Sequence, residues 1–95
     1  MRAKVRKPKI LVDSDLISQF IGARIAEIRE NKKLSQTTLG EYAGVSFQQI
    51  QKYEKGINQV PISKLLQICK ALDVEPNYIL SGTMIFAHDT SSFSG

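Results

Sequence analysis

Between Ser35 and Gly56 the chain spells two short helices separated by a turn of very small residues, and this stretch constrains the fold more than any other. Ser35 can cap a helix from Gln36 to about Tyr42, because its hydroxyl accepts a hydrogen bond from a first-turn amide. Gly44 follows, and a residue without a β-carbon suits the left-handed stop after a helix. Ser46 can cap the next helix, which ends at Lys55-Gly56. Two helices joined this closely pack at a steep angle only over a tight turn. Ala43 permits the approach, Gly44 supplies the backbone freedom, and Val45 fills the space between the helices.

The rest of the chain reads as helices placed to bury that pair. Ile17, Ile21, Ile25 and Ile28 recur at spacings of four, four and three, and Phe20 widens the stripe, so about Asp15 to Lys33 is expected as an amphipathic helix. Asp13, Ser14 and Asp15 are its candidate caps. Leu39, Tyr42 and Ala43 are expected to face inward from the second helix. After a loop from Ile57 to Pro61, a fourth helix over Ile62 to Leu72 turns Leu65, Leu66, Cys69 and Leu72 to the core. Pro76 fits the first turn of a fifth helix ending near Leu80, where its missing amide costs nothing. No strand alternation stands out, and the expected architecture is all-α, five helices in one compact domain of residues 15–82. Residues 1–14 are expected as a flexible arm, and residues 83–95, rich in Ser and Thr, as a loose tail.

The third helix carries the informative surface. Residues advance by about 100° along a helix. With Ile50 at the centre of the buried side, Tyr53 and Ser46 fall on its flanks, Gln48, Lys52 and Lys55 fall opposite, and Phe47 and Gln51 lie at the edges of that outer face. Glutamine can bond adenine at two points, lysine can reach guanine acceptors, and an apolar ring can cover a thymine methyl. Short helix, tight turn and a second helix with this outer face are the physical content of a helix-turn-helix.

Charge agrees with a polyanionic partner. The net charge is +4, and five of the thirteen basic residues, Arg2, Lys4, Arg6, Lys7 and Lys9, lie in the first nine positions with no acid among them. Such a block gains free energy by releasing counterions from nucleic acid.

The runs Gln36-Thr37-Thr38-Leu39-Gly40-Glu41-Tyr42-Ala43-Gly44-Val45-Ser46 and Gln49-Ile50-Gln51-Lys52-Tyr53-Glu54-Lys55-Gly56 resemble the Cro/C1-type (XRE-like) helix-turn-helix family of phage repressors and bacterial regulators. The likeness extends through Leu72-Asp73-Val74 and Tyr78-Ile79-Leu80, covering about Ile17 to Gly82. It implies a lambda-repressor-like fold, with the helix-turn-helix formed by helices 2 and 3, that reads operator DNA as a homodimer. By position, Phe47, Gln48 and Lys52 match base-reading residues, with Ser46 and Gln51 as lesser candidates. Gln36 matches a phosphate contact at the start of helix 2, and Lys55, Asn58 and Gln59 match the segment that grips the backbone after helix 3. Ile57 and Val60 stand where more basic members carry lysine or arginine, and the N-terminal arm would make up the difference. Arg29 and Glu54 match a pair that ties helix 1 to the end of helix 3. Dimer contacts are expected around Val74 to Leu80.

Other chemistry finds little footing. His88 has no neighbour at metal-ligand spacing, and Cys69 lies on the apolar stripe of helix 4, so neither a metal nor a cofactor is expected. Neither a phosphate-cradling glycine loop nor a Ser-His-Asp arrangement occurs, which argues against an enzyme. No apolar run is long enough to span a membrane, and only Ile10-Leu11-Val12 follow the basic start, too few for a secretory signal. A cytoplasmic protein of a bacterium or phage is expected. The competing readings are an antitoxin-type module whose tail captures a protein partner, and a restriction-modification controller.

Overall fold

A computed structural model describes residues 9–90 of the chain. Its elements run β1 (Ile10–Val12), α1 (Ser14–Asn31), α2 (Gln36–Ala43), α3 (Phe47–Glu54), α4 (Ile62–Leu72), α5 (Pro76–Leu80), a 3-10 turn (Thr83–Phe86) and β2 (Ala87–Asp89). The five expected helices are present, and α1 packs on α3, α2 on α3 and α4, and α5 on α1 and α4. Their shared core is Ile25, Ile28, Leu39, Ala43, Ile50, Tyr53, Leu65, Ile68, Cys69, Leu72 and Ile79. Six large side chains in it, Ile25, Leu39, Ile50, Ile68, Leu72 and Ile79, are fully enclosed. Removing this much apolar surface from water is the main force holding five short helices together.

The helix ends follow their sequence signals. Ser35 Oγ accepts from Thr38 N–H and Ser46 Oγ from Gln49 N–H, so each helix of the pair has a side-chain cap. Gly44 has φ of 72°, and its N–H and that of Val45 return to the carbonyls of Glu41 and Gly40. A side chain at that φ would press its β-carbon on the following carbonyl, which is why glycine occupies the turn.

Several expectations are corrected. Residues 10–12 and 87–89, expected in an arm and a tail, instead form an antiparallel ribbon in which Ile10 faces Asp89, Leu11 faces His88 and Val12 faces Ala87. Each segment is too short to show alternation by itself; pairing across the whole chain creates the strands. The ribbon is fastened to α1 by Phe86, whose ring meets Phe20 edge-on at 5.6 Å, while the Arg24 guanidinium lies 4.8 Å from the Phe20 ring centre. Asp13 holds the N-cap position of α1 without capping through its side chain. Its carboxylate lies 3.5 Å from His88 Nε2. Tyr42 is exposed rather than inward, and so is Leu66 of α4. The two line one shallow hollow with Gln67, Lys70 and Ala71. Ile68, not Leu66, takes the core position, because α4 meets α2 and α5 on the side that Leu65, Ile68, Cys69 and Leu72 share.

Candidate nucleic-acid interface

The outer side of α3 is presented because its inner side is anchored at both ends. Ile50 is wholly enclosed and Tyr53 nearly so, which fixes the rotation of the helix about its axis. Phe47, Gln48, Gln51 and Lys52 are exposed in consequence. Phe47 leaves 46 % of its surface open to water, so a large apolar side chain stands at the first turn of the exposed side. Ser46 spends its hydroxyl on the cap and is exposed beside them.

The far end of α3 is tied down by charge. Arg29 Nε and Nη2 donate to the two carboxylate oxygens of Glu54 at 2.6 and 3.0 Å, and Nη1 donates to the Leu34 carbonyl at 2.8 Å. Both side chains are almost enclosed, with 11 % and 5 % of their surface exposed. The hydrogen bonds to Glu54 push the Arg29 guanidinium above its ordinary pKa, against the opposing effect of burial, so it carries its charge throughout. The two-point geometry orients one helix on the other more firmly than a single contact would. Gln36 joins the cluster, since its Nε2 donates to Glu54 Oε1 at 2.9 Å. The side chain matched to a phosphate contact is therefore turned toward Glu54, while its amide remains in the first turn of α2.

Lys55, Asn58 and Gln59 lie exposed in the segment after α3. Asn58 is braced by Gln49, whose Nε2 donates to its Oδ1 at 3.2 Å. Lys9 is exposed at the foot of the ribbon, its N–H donating to Thr90 Oγ1 and its carbonyl accepting from Thr90 N–H. Arg2, Lys4, Arg6 and Lys7 lie outside the described residues. At the surface expected for dimer contacts, Tyr78 and Leu80 are exposed and Ile79 is buried.

Two positioning residues escaped the sequence reading. Gly22 of α1 lies against the end of α3, where an added β-carbon would overlap the Tyr53 carbonyl and lie 2.6 Å from that of Glu54. Without a side chain at this position, α1 can approach closely enough for Arg29 to reach Glu54. An isolated glycine inside an apolar helix was the available signal. Lys64 donates to the Ala43 carbonyl at 2.8 Å, satisfying the last turn of α2 where the helix dipole favours a cation. Nothing local marks that lysine, which sits 21 residues from its partner.

Burial pushes the Cys69 thiol above its ordinary pKa, with Glu75 adding a smaller push, so it remains a protonated core group. Among the described residues no three His, Cys, Asp or Glu side chains gather as a metal site would require, and no helix is long and apolar enough to cross a membrane.

A capped helix, a left-handed glycine turn and a second helix anchored on one side and open on the other define the helix-turn-helix class. The family model described as helix-turn-helix matches residues 25–79, and the chain belongs to that family, in its Cro/C1-type branch. An uncharacterised HTH-type transcriptional regulator of Sinorhizobium fredii is 53 % identical over 68 residues, covering 72 % of this chain and 48 % of that protein. The P22 c2 repressor, solved in complex with a synthetic operator, superimposes with a TM-score of 0.62 at 36 % identity, covering 67 % of this chain and 97 % of the solved one. The restriction-modification controller C.AhdI of Aeromonas hydrophila gives 0.62 at 32 % identity, with 66 % and 94 % covered. The chain spans about half the length of the curated regulator relatives that it matches.

Proposed function

We propose that this protein is a transcriptional regulator, acting as a repressor, that binds operator DNA as a homodimer and reads the major groove with the exposed side of α3. One observation carries the reading: α3 is anchored by Ile50, Tyr53 and the Arg29–Glu54 pair while Phe47, Gln48, Gln51 and Lys52 stay open to solvent. A helix held this way offers base-reading groups without the entropy cost of ordering a loop first. Gln48 and Lys52 read base edges, Phe47 covers a thymine methyl, and Ser46 and Gln51 contact bases at the margin of the site.

Lys55, Asn58 and Gln59, with the first-turn amides beginning at Gln36, hold the phosphate backbone. The basic residues from Arg2 to Lys9 add attraction that does not depend on sequence. One domain contacts few base pairs, and two copies on a two-fold symmetric site, half-sites about one duplex turn apart, supply the missing selectivity. The relatives named as transcriptional regulators and the solved repressor–operator complex support this reading.

Selection of bound fragments from a genomic library tests it. Recovery of one two-fold symmetric sequence, bound well above bulk DNA at moderate salt, is the expected result. Retention of random fragments in proportion to their abundance would overturn it.

A restriction-modification controller is the narrower second reading. It is favoured by the likeness to C.AhdI over nearly all of that protein. Occurrence of the selected operator upstream of an endonuclease gene would decide for it.

A further inference from the structure

The terminal ribbon is made of apolar residues that the fold does not cover. All three residues of β1 are exposed, Ile10 by 59 %, Leu11 by 40 % and Val12 by 51 %, whereas the residues of β2 are half-buried. The next turn adds Met84 and Ile85, open by 78 % and 76 %. The edge is short, but without proline or bulge its unpaired N–H and C=O groups are a template for another strand.

The ladder fixes which groups β1 offers. Asp13 N–H donates to the Phe86 carbonyl and Thr90 N–H to the Lys9 carbonyl. With Leu11 opposite His88, the hydrogen-bonded positions of β1 are therefore 9, 11 and 13. The N–H and C=O groups of Ile10 and Val12 point the other way, along the open edge.

We propose that this edge is an interface for a second copy of the same chain, formed by β1 pairing antiparallel with itself about a two-fold axis through Leu11. In that register Ile10 lies opposite Val12 of the second copy, and each such pair exchanges both of its outward hydrogen bonds. Leu11 meets Leu11 of the second copy at the axis, in the closer, non-hydrogen-bonded spacing. Lys9 then lies directly opposite Asp13 of the second copy, and Asp13 opposite its Lys9, so the strand Lys9-Ile10-Leu11-Val12-Asp13 is complementary to itself in hydrogen bonds, apolar contacts and charge. Two copies so joined share a four-stranded sheet. This is an isologous contact, the type a two-fold operator requires, and it deepens the homodimer named under the proposed function by giving it a surface away from α5. The junction is small and belongs with weak associations that bury less than about 1,200 Å².

Sedimentation equilibrium of the full chain without DNA tests it, from low to high micromolar protein. A reversible monomer–dimer equilibrium is expected. Val12→Pro removes an N–H of the outer edge and none of the ladder with β2, and should weaken the dimer roughly tenfold or more, because both copies lose a bond. Lys9→Asp and Asp13→Lys should each weaken it several-fold, and the double exchange should restore it. Hydrogen exchange gives a readout that fold stability does not move: Ile10 and Val12 amides gain protection as protein concentration rises, while the Leu11 amide is protected throughout.

A chain that stays monomeric across the range overturns the proposal. So does a dimer indifferent to Val12→Pro and to the charge exchange, or one dissolved instead by Tyr78→Ala. Selection of an operator by a chain whose β1 does not pair leaves the functional reading standing, and β1 pairing without operator selection separates the two in the opposite sense.

Discussion

The helix pair of residues 35–56 and the terminal ribbon of residues 9–13 and 86–90 are built on opposite terms. In the pair, α2 and α3 supply two of the six fully enclosed large side chains of the core, Leu39 and Ile50, and the ends of both helices are capped, bonded or paired. In the ribbon none of the core residues is found, and three apolar side chains in a row face water. A surface meant to read DNA has to be held still by the protein itself, and α3 is. A surface meant to meet another copy leaves its satisfaction to the partner, as β1 does.

The sharpest break of this comparison comes from the charge pair. Arg29→Ala should leave the Glu54 carboxylate nearly enclosed, with Gln36 still donating to it but the paired charge of Arg29 gone. The expected cost is about 3–5 kcal/mol. That is a large part of the stability of so small a domain. Urea unfolding measures it, and Arg29→Met with Glu54→Leu should recover most of the loss because both charges then leave together. A single substitution within about 1 kcal/mol of the parent would mean that the pair does not hold α3 in place.

Gly22→Ala comes next. Its new β-carbon meets backbone carbonyls of Tyr53 and Glu54 rather than the free end of a side chain, so α1 and α3 must separate. A loss of about 3 kcal/mol is expected although alanine is the better helix former by about 1 kcal/mol. Thermal melting of the two proteins checks the sign: a variant more stable than the parent contradicts the close approach.

These two residues also mark how far the sequence alone makes the fold legible. The five helices, the caps Ser35 and Ser46, the Gly44 turn and the outward side of α3 are legible because each depends on residues three or four apart, which is the range of helical periodicity. The pairing of Arg29 with Glu54 follows from family likeness rather than from spacing. The Gly22 contact, the Lys64 bond to Ala43 and the pairing of 10–12 with 87–89 join segments 21 to 79 residues apart, and no local pattern encodes a partner at that distance. Spacing alone turns Tyr42 and Leu66 inward, yet both sit at the margin of the stripe, where the neighbouring helix rather than the period decides burial.

The outer side of α3 should respond in recognition and not in folding. Gln48→Ala and Lys52→Ala expose no core and should leave stability within about 0.5 kcal/mol. Each should lower discrimination at one operator position by about 1–3 kcal/mol, whereas Lys55→Ala should weaken binding to every sequence and flatten its salt dependence by about one unit of slope. Titrating each variant against the selected operator and its single-base variants separates the two kinds of effect. Uniform weakening by Gln48→Ala would move that residue from reading bases to holding phosphates.

The smallest effect belongs to the ribbon, and its smallness is the point. The backbone N–H and C=O of Ile10 take no part in the ladder with β2, and more than half of the residue's surface is already in water. Ile10→Thr keeps a β-branched side chain and both backbone groups of the edge, so it should change the melting of dilute protein by less than about 0.5 kcal/mol. At high concentration the parent gains stability from association and its melting temperature rises, since a partner that binds only the folded chain shifts unfolding by mass action. The variant, with a threonine in place of the isoleucine that faces Val12 of the second copy, should show a shallower rise. Unfolding of the helix pair by Ile10→Thr in dilute solution would place the ribbon within the core and erase the contrast. Equal slopes for the two proteins would instead take the Ile10 side chain out of the contact between copies.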